Sequence, residues 1–365
     1  MKNIAVFFGG ESVEHEISVI TGVLTANSLD KTKYNAVPVY ADEKGRWFTG
    51  EYLLNPDNYK AFEYKKVKRV ALVAGEKSLF TVKGKKLKKY CDISVAINCM
   101  HGERGEDGAL AGTLALCGIP LASPPVLASA VSMDKIFTKY ALKGLGVKAL
   151  PFATAESAGE ISRKKIKFGY PMIVKPACGG SSIGVRRAET EAELKSATAF
   201  ALRFGSRAII EPCLTGFTEI NCAAYFAGGE IFVSECERPV GKGEILSFTD
   251  KYVKGEREFP ANIDEKISEE IKKTTRKVYE KLGFRGVIRI DYFLSDGTVY
   301  LNEINAVPGS LAYYLFCVKT ADFKELLTGL TENALSEAAG ASTERRSFKS
   351  GILSGLGSKG SKGKE

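Results

Sequence analysis

A chain of 365 residues is too long for one ordinary domain, so two or three are expected. Its 44% hydrophobic and 26% charged content suits a globular cytoplasmic protein, and no apolar run approaches the ~18 residues that span a bilayer, which excludes a membrane protein. Of the net charge of +9, residues 343–365 supply +4, and the moderately basic body suits a polyanionic ligand. It lacks the aromatic–basic interleaving of a nucleic-acid binder, so no nucleic-acid partner is expected.

The first part alternates strand and helix: "NIAVFF", a helix over about 14–29, "NAVPVY", "ISVAIN", and a helix "GALAGTLALCG" stopping at Gly118. This predicts a parallel, Rossmann-like α/β sheet, interrupted over about 41–90 by an antiparallel insertion rich in lysine. A proline-rich boundary, "LASPPVLAS", precedes a helix over 132–143 and the strands "PMIVKP" and "AIIEP". From 214 onward, hairpins and a long amphipathic helix, "DEKISEEIKKTTRKVYEKLG", are expected. The division predicted is 1–121, 122–213, 214–342, and a disordered Gly/Ser/Lys-rich tail over 343–365. The eight cysteines form no CxxC pair and read as reduced, mostly buried side chains.

Several segments carry possible chemistry. "KPACGGSSIGV" follows an apolar strand, and its glycines can expose backbone N–H groups to phosphate oxygens, or merely turn the chain. It is not GxxxxGK[ST], and no GxGxxG occurs, so the common P-loop and NAD binding are both disfavoured. Lys175 closes the strand and needs an anionic partner. In "GGESVEHEIS", Glu14 and Glu16 fall in a first helical turn, where they complement the dipole, or Glu14 faces the crevice and holds an ammonium group. The only two histidines, His15 and His101, both lie in glycine-rich turns. Lys135 in "SMDKIFTKY" opens a helix, and "TDKYVKGE" reads as a lid holding Lys251 and Tyr252.

The stretch "RIDYFLSDGTVYLNEIN" predicts a hairpin around Asp296-Gly297. Period two puts Arg289 with Asp291 and Glu303 with Asn305, and an odd loop such as Asp296-Gly297-Thr298 would set Asp291 opposite Glu303. Asp291, Glu303 and Asn305 then form an all-oxygen set suited to Mg²⁺, with Arg289 beside it for a developing oxyanion; a salt-bridge network is the alternative.

In order, "FFGGESVEHEIS", "HGERGEDG", "SMDK", "IVKP…GGSSIGV", "TDKY", "RIDYF" and "NEINAVPG" resemble the D-alanine–D-alanine ligases of the ATP-grasp superfamily. The resemblance spans most of 1–320, less the insertion. It implies a three-domain ATP-grasp fold that clamps ATP and joins two D-alanines through an acyl phosphate, for peptidoglycan synthesis. By resemblance, Glu14 binds the first ammonium and His101 lies near the first carboxylate. Ser181 and Tyr252 bond with Glu14. Lys135, Lys175, Ser182 and Lys251 contact phosphates, while Glu211 and Glu219 serve adenine and ribose. Arg289 and the Gly309 N–H stabilise the oxyanion, and Asp291, Glu303 and Asn305 hold two Mg²⁺ (or Mn²⁺). A homodimer is expected.

Tyr314-Leu315 stands where the family commonly receives the second substrate's carboxylate on a Ser-Leu pair. Pro212 stands where a lysine is frequent. The first departure leaves D-serine or D-lactate as alternative second substrates; a nucleotide-binding regulator without ligase activity is the remaining reading.

Overall fold

The structure, a computed structural model, describes residues 1–159, 161, 166–240, 256–317 and 319–342. The expected lid residues Lys251 and Tyr252 and the tail 343–365 lie outside the described residues.

The chain opens with β1 (Lys2–Gly9), α1 (His15–Ser28) and β2 (Tyr34–Ala41). The insertion follows as β3 (Trp47–Thr49), β4 (Lys68–Leu72), β5 (Ser78–Lys83) and β6 (Lys86–Asp92), before β7 (Val95–Asn98). These strands form one seven-stranded sheet, ordered β6-β5-β4-β3-β2-β1-β7. Only β2, β1 and β7 run parallel; the insertion adds antiparallel strands at one side. Strand β1, one in from the β7 edge, thus has parallel neighbours on both sides. The connections leaving the C-terminal ends of β1 and β7 frame a crevice at this switch in strand order, the place where open α/β sheets bind ligands. Those connections carry Glu14 and His101.

The crevice depends on close packing of α1 on β1. A Cβ on Gly22 would stand 2.2 Å from the ring of Phe8, which is wholly buried. Any side chain there would push the helix off the sheet. On the second connection, a Cβ on Gly105 would stand 2.3 Å from the Met100 carbonyl oxygen, so only glycine lets this turn close.

Past α2 (Ala109–Leu116), the helix expected over 132–143 is two helices, α3 (Val126–Met133) and α4 (Lys135–Gly144). Asp134 breaks them apart. Its backbone is extended, and its side chain accepts the N–H groups of Ile136 and Phe137 at 2.9 and 3.1 Å, capping α4. The break aims Lys135 at the glycine loop.

A second, antiparallel sheet contains β8 (Ala153–Ala155), β9 (Met172–Pro176), β10 (Arg186–Ala188) and β11 (Ala208–Pro212), with α5 (Glu191–Ala201) packed on β9 and β10. A third contains β12 (Thr218–Ala227), β13 (Glu230–Val233), β16 (Val287–Ser295) and β17 (Thr298–Asn305). Between β13 and β16 come the paired β14 (Arg238–Val240) and β15 (Glu256–Glu258), and α6 (Glu265–Lys281), capped by Asp264. Helix α6 buries Ile271, Val278 and Tyr279 against this sheet, a contribution of about 1.5–3 kcal/mol for each large side chain. The last helix, α7 (Thr320–Ser342), returns to the first sheet, where Phe323 and Leu327 share a core with Val19 and Val23 of α1.

The hairpin β16–β17 corrects the expected register device. Asp291 does pair with Glu303, and Arg289 with Asn305. The turn, however, is the two-residue Asp296-Gly297, both at positive φ (48° and 70°), with Ser295 opposite Thr298. The odd residue is instead a β-bulge: pairing steps from Asp291–Glu303 to Tyr292–Leu301, leaving Asn302 unmatched. A two-residue turn fits the right-handed twist of the strands better than a three-residue loop, so the extra residue is taken up within the ladder.

Candidate active site

The loop joining β9 to β10, the capped start of α4 and the hairpin β16–β17 border one cleft lined by Lys135, Lys175, Glu211, Glu219, Phe293 and Glu303. A smaller polar pocket adjoins it, lined among others by Glu14, His101, Glu106, Arg289, Asn305 and Gly309. Residues 179–181 and Glu303 line both, so a group bound in one faces a group bound in the other.

In the cleft, Lys135 donates to the Gly179 carbonyl at 2.6 Å and stands 3.6 Å from Glu303 Oε1. Its own N–H bonds the Ala177 carbonyl at 2.8 Å, which fixes α4 against the glycine loop. Ser181 and Ser182 take positive φ (53° and 59°), as a loop with outward N–H groups requires. The anionic partner expected for Lys175 is Glu211, at 2.6 Å. Glu211 also pairs with Lys139, a residue the sequence reading passed over. Burial alone would push the Glu211 carboxyl up, but the ammonium groups of Lys175 and Lys139 outweigh it and hold it low, at about 2. Lys139 is itself buried and donates to the Leu150 carbonyl at 3.1 Å. The signal was present: in "KIFTKYALKG", Lys139 sits three residues from both Ile136 and Leu142, on an apolar helical face.

In the polar pocket, Glu14 occupies the cap position of α1 without capping it, one residue earlier than expected. Its Oε1 accepts from Ser181 Oγ at 2.5 Å, joining the first sheet's crevice to the glycine loop. His15 is structural: its ring nitrogens meet the Gly10 carbonyl at 2.7 Å and the Tyr40 hydroxyl at 3.1 Å. His101 is buried, with Nε2 3.0 Å from Thr21 Oγ1. Burial, helped by the nearby Arg289 cation, pulls its pKa down to about 4, so the imidazole is neutral near pH 7.

A pH dependence follows. The folded pKa lies below the ordinary 6.5, so between those values the unfolded chain takes up a proton that the folded chain refuses. Stability should therefore fall as pH drops from about 6.5 to 4, by up to roughly 3 kcal/mol from this group. Melting curves of the wild type and His101→Asn across that range test it, the variant showing the shallower decline.

The face of the hairpin is one network. Arg289 grips Asp291 with two bonds, Nε to Oδ1 at 2.7 Å and Nη2 to Oδ2 at 3.0 Å, and Asn305 Nδ2 donates to Oδ2 at 3.1 Å. Two carboxylates and one amide share this face. Among the described residues there is no group of three or more His, Cys, Asp or Glu side chains placed to hold a metal. Asp291, Glu303 and Asn305 can each offer oxygen to a hard cation, and Asp291 would do so from the oxygens that here accept from Arg289 and Asn305.

After β17 the chain makes a 3-10 segment, Gly309–Leu315, in which Ser310, Leu311 and Ala312 all adopt positive φ. The adjacent tyrosines diverge. Tyr313 stacks on Phe323, 4.7 Å between ring centroids. Tyr314 turns to the site, its hydroxyl accepting from Arg289 Nη1 at 3.4 Å. Burial raises the Tyr314 pKa, which keeps the hydroxyl a donor. The Leu315 side chain lies in the apolar core, so only its backbone is offered to a substrate. Of the cysteines, Cys178 in the glycine loop is exposed. Among the described residues no helix is long and apolar enough to cross a membrane.

Comparison with known proteins identifies the family. Residues 3–124 match the family model described as the D-ala D-ala ligase N-terminus, and 141–331 the D-ala D-ala ligase C-terminus. The D-alanine–D-alanine ligase of Thermosipho melanesiensis is 35% identical, covering 92% of this chain and 94% of the relative. That of Sulfurovum is 37% identical over 86% and 89%. The crystal structure of the Helicobacter pylori D-alanine–D-alanine ligase aligns with a TM-score of 0.76 and 30% identity, covering 91% of this chain and 98% of that one. The VanG D-Ala:D-Ser ligase of Enterococcus faecalis aligns with a TM-score of 0.78 at 26% identity, over 90% and 99%. The chain is thus an ATP-grasp protein and belongs to the D-alanine–D-alanine ligase family.

Proposed function

We propose that the cleft and the polar pocket are the nucleotide and amino-acid sites of an ADP-forming ligase that joins two D-alanines. The observation that carries this reading is the wall the two cavities share, Glu303 and residues 179–181. It sets the γ-phosphoryl group of a nucleotide in the cleft against a carboxylate in the pocket.

Glu14 receives the ammonium of the first D-alanine, and neutral His101 lies near its carboxylate. One carboxylate oxygen attacks the γ-phosphorus of ATP, and the P–O bond to ADP breaks, giving the acyl phosphate. The second D-alanine, its amine deprotonated, attacks the acyl carbon, and the surplus proton on its nitrogen leaves to solvent or the departing phosphate. The tetrahedral adduct carries an oxyanion that Arg289 and the Gly309 N–H stabilise, and it collapses by expelling phosphate. Lys135, Lys175 and Ser182 face the phosphates, and Glu211 and Glu219 lie at the nucleoside end. Asp291, Glu303 and Asn305 would hold two Mg²⁺ ions, which neutralise phosphate charge when bound. Lys251 and Tyr252 complete the lid in this reading. The same reading divides the chain at about 121 and 213 and makes it a cytoplasmic homodimer.

Tyr314 takes the place of the serine that commonly receives the second carboxylate. Accepting from Arg289 leaves its own hydrogen to donate. Tyr314→Phe should raise the KM for the second D-alanine roughly ten- to a hundredfold, the cost of one hydrogen bond to a charged group, with the first site little changed. Kinetics resolving the two sites check this; an unchanged second-site KM would remove Tyr314 from substrate binding.

The overall reading is tested by phosphate release with MgATP and D-alanine, D-serine or D-lactate as second substrate, followed by mass analysis. D-alanyl-D-alanine is the expected product. A depsipeptide, a D-Ala-D-Ser product alone, or no ligation at all would overturn it; the last is what a nucleotide-binding regulator would give.

A further inference from the structure

The segment that carries the Gly309 N–H does not hold its shape unaided. Three successive non-glycine residues, Ser310, Leu311 and Ala312, sit at φ of 52°, 50° and 46°, a conformation that side chains disfavour in a run. Something outside the segment must impose it.

Two ties do so, both from the connections that frame the first sheet's crevice. Glu106, on the turn after His101, spans the gap with both oxygens: Oε1 accepts the Val307 N–H at 2.9 Å and Oε2 accepts the Gly102 N–H at 2.8 Å. On the other side, Thr21 Oγ1 of α1 accepts the Ser310 N–H at 2.9 Å and meets His101 Nε2 at 3.0 Å. Gly309 lies between the two anchored residues. Glu106 itself lines the polar pocket with Glu14 and His101.

We propose that Glu106 is a positioning residue, whose carboxyl group locks the segment after β17 onto the first-substrate turn and so places the Gly309 N–H for the oxyanion. The inference rests on the assignment of Gly309 made above. It gives the turn "HGERGEDG" a second task besides presenting His101: the same turn sets the position of an oxyanion donor. Only a side chain with two acceptor oxygens serves both N–H groups at once.

Glu106→Gln keeps the shape but replaces one acceptor by a donor, so one N–H loses its partner. In the full chain, kcat should fall roughly ten- to a thousandfold, the range for weakening one oxyanion donor. The inhibition constant of a phosphinate dipeptide, which mimics the tetrahedral adduct, should rise by a similar factor. Dissociation constants for ADP and the first-site KM should stay within about threefold. Thr21→Val, which removes the other tie and leaves Glu106 in place, should show the same pattern, and it carries the test if Glu106→Gln does not fold. Normal kcat and phosphinate affinity in the folded variants would overturn the proposal. So would a loss spread equally over ADP, first-site KM and thermal stability. If the wild type forms no dipeptide, the ligase reading fails first; if it does and the variants behave normally, only this inference fails.

Discussion

Glu303→Gln and Asp291→Asn should each lower turnover by at least about a thousandfold, the loss expected when several kcal/mol of phosphate charge neutralisation disappear from the transition state. The two differ in what else they cost. Asp291 is buried and gripped by Arg289 and Asn305, so its amide variant also leaves a guanidinium short of its partner, and its melting temperature should fall. Glu303 is more open than Asp291 and stands 3.6 Å from the Lys135 ammonium, so Glu303→Gln should melt nearer the wild type and is the cleaner probe. Raising Mg²⁺ should recover little in either. Near-normal kcat in Glu303→Gln at modest Mg²⁺ would remove the hairpin from the chemistry.

Lys139→Met should destabilise the chain by about 3–5 kcal/mol, the usual cost of stripping one partner from a buried ion pair. Glu211 is fully enclosed, and its charge is tolerated because Lys175 and Lys139 flank it. With Lys139 gone, Glu211 either takes up a proton or draws Lys175 more tightly. The second course withdraws Lys175 from the nucleotide, so the dissociation constant for ATP should rise along with the loss of stability. Thermal melting and ATP titration of the same variant measure both. A melting temperature within about 2 °C of the wild type would contradict a buried triad, since a few kcal/mol corresponds to a larger shift for a protein of this kind.

The sequence carried the parts of this site that obey local periodicity. Strand alternation was enough to put Arg289, Asp291, Glu303 and Asn305 on one face, and the glycine content marked the loops around Glu14, His101 and Ser181. What failed was anything decided by a neighbour distant in sequence. The extra residue of the hairpin sits at Asn302, whose side chain gives no local sign of a bulge. The break at Asp134 was locally visible as a capping residue before "KIF", yet the apolar pattern on either side reads as one helix. Lys175 asks for an anionic partner, but the sequence does not say which; Glu211 lies diagonally across the β9–β11 ladder, where Lys175 pairs with Ile209 and Glu211 with Ile173, a relation known only once the strands are placed. Glu106 was one acid among several in "HGERGEDG", and its bond to Val307 spans 201 positions of sequence. The divergence of Tyr313 into the core and Tyr314 towards Arg289 likewise depends on a backbone of positive φ that no propensity foretells.

The central claim is that ATP activates the carboxylate of one D-alanine for attack by another, and isotope transfer tests it most directly. The chain is incubated with MgATP and D-alanine labelled with ¹⁸O in both carboxylate oxygens, and the phosphate and dipeptide are analysed by mass. Each turnover should deliver one ¹⁸O from the first carboxylate into inorganic phosphate, with the other retained in the peptide carbonyl. Dipeptide accompanied by unlabelled phosphate, or labelled substrate returned unchanged while ATP is hydrolysed, would contradict it.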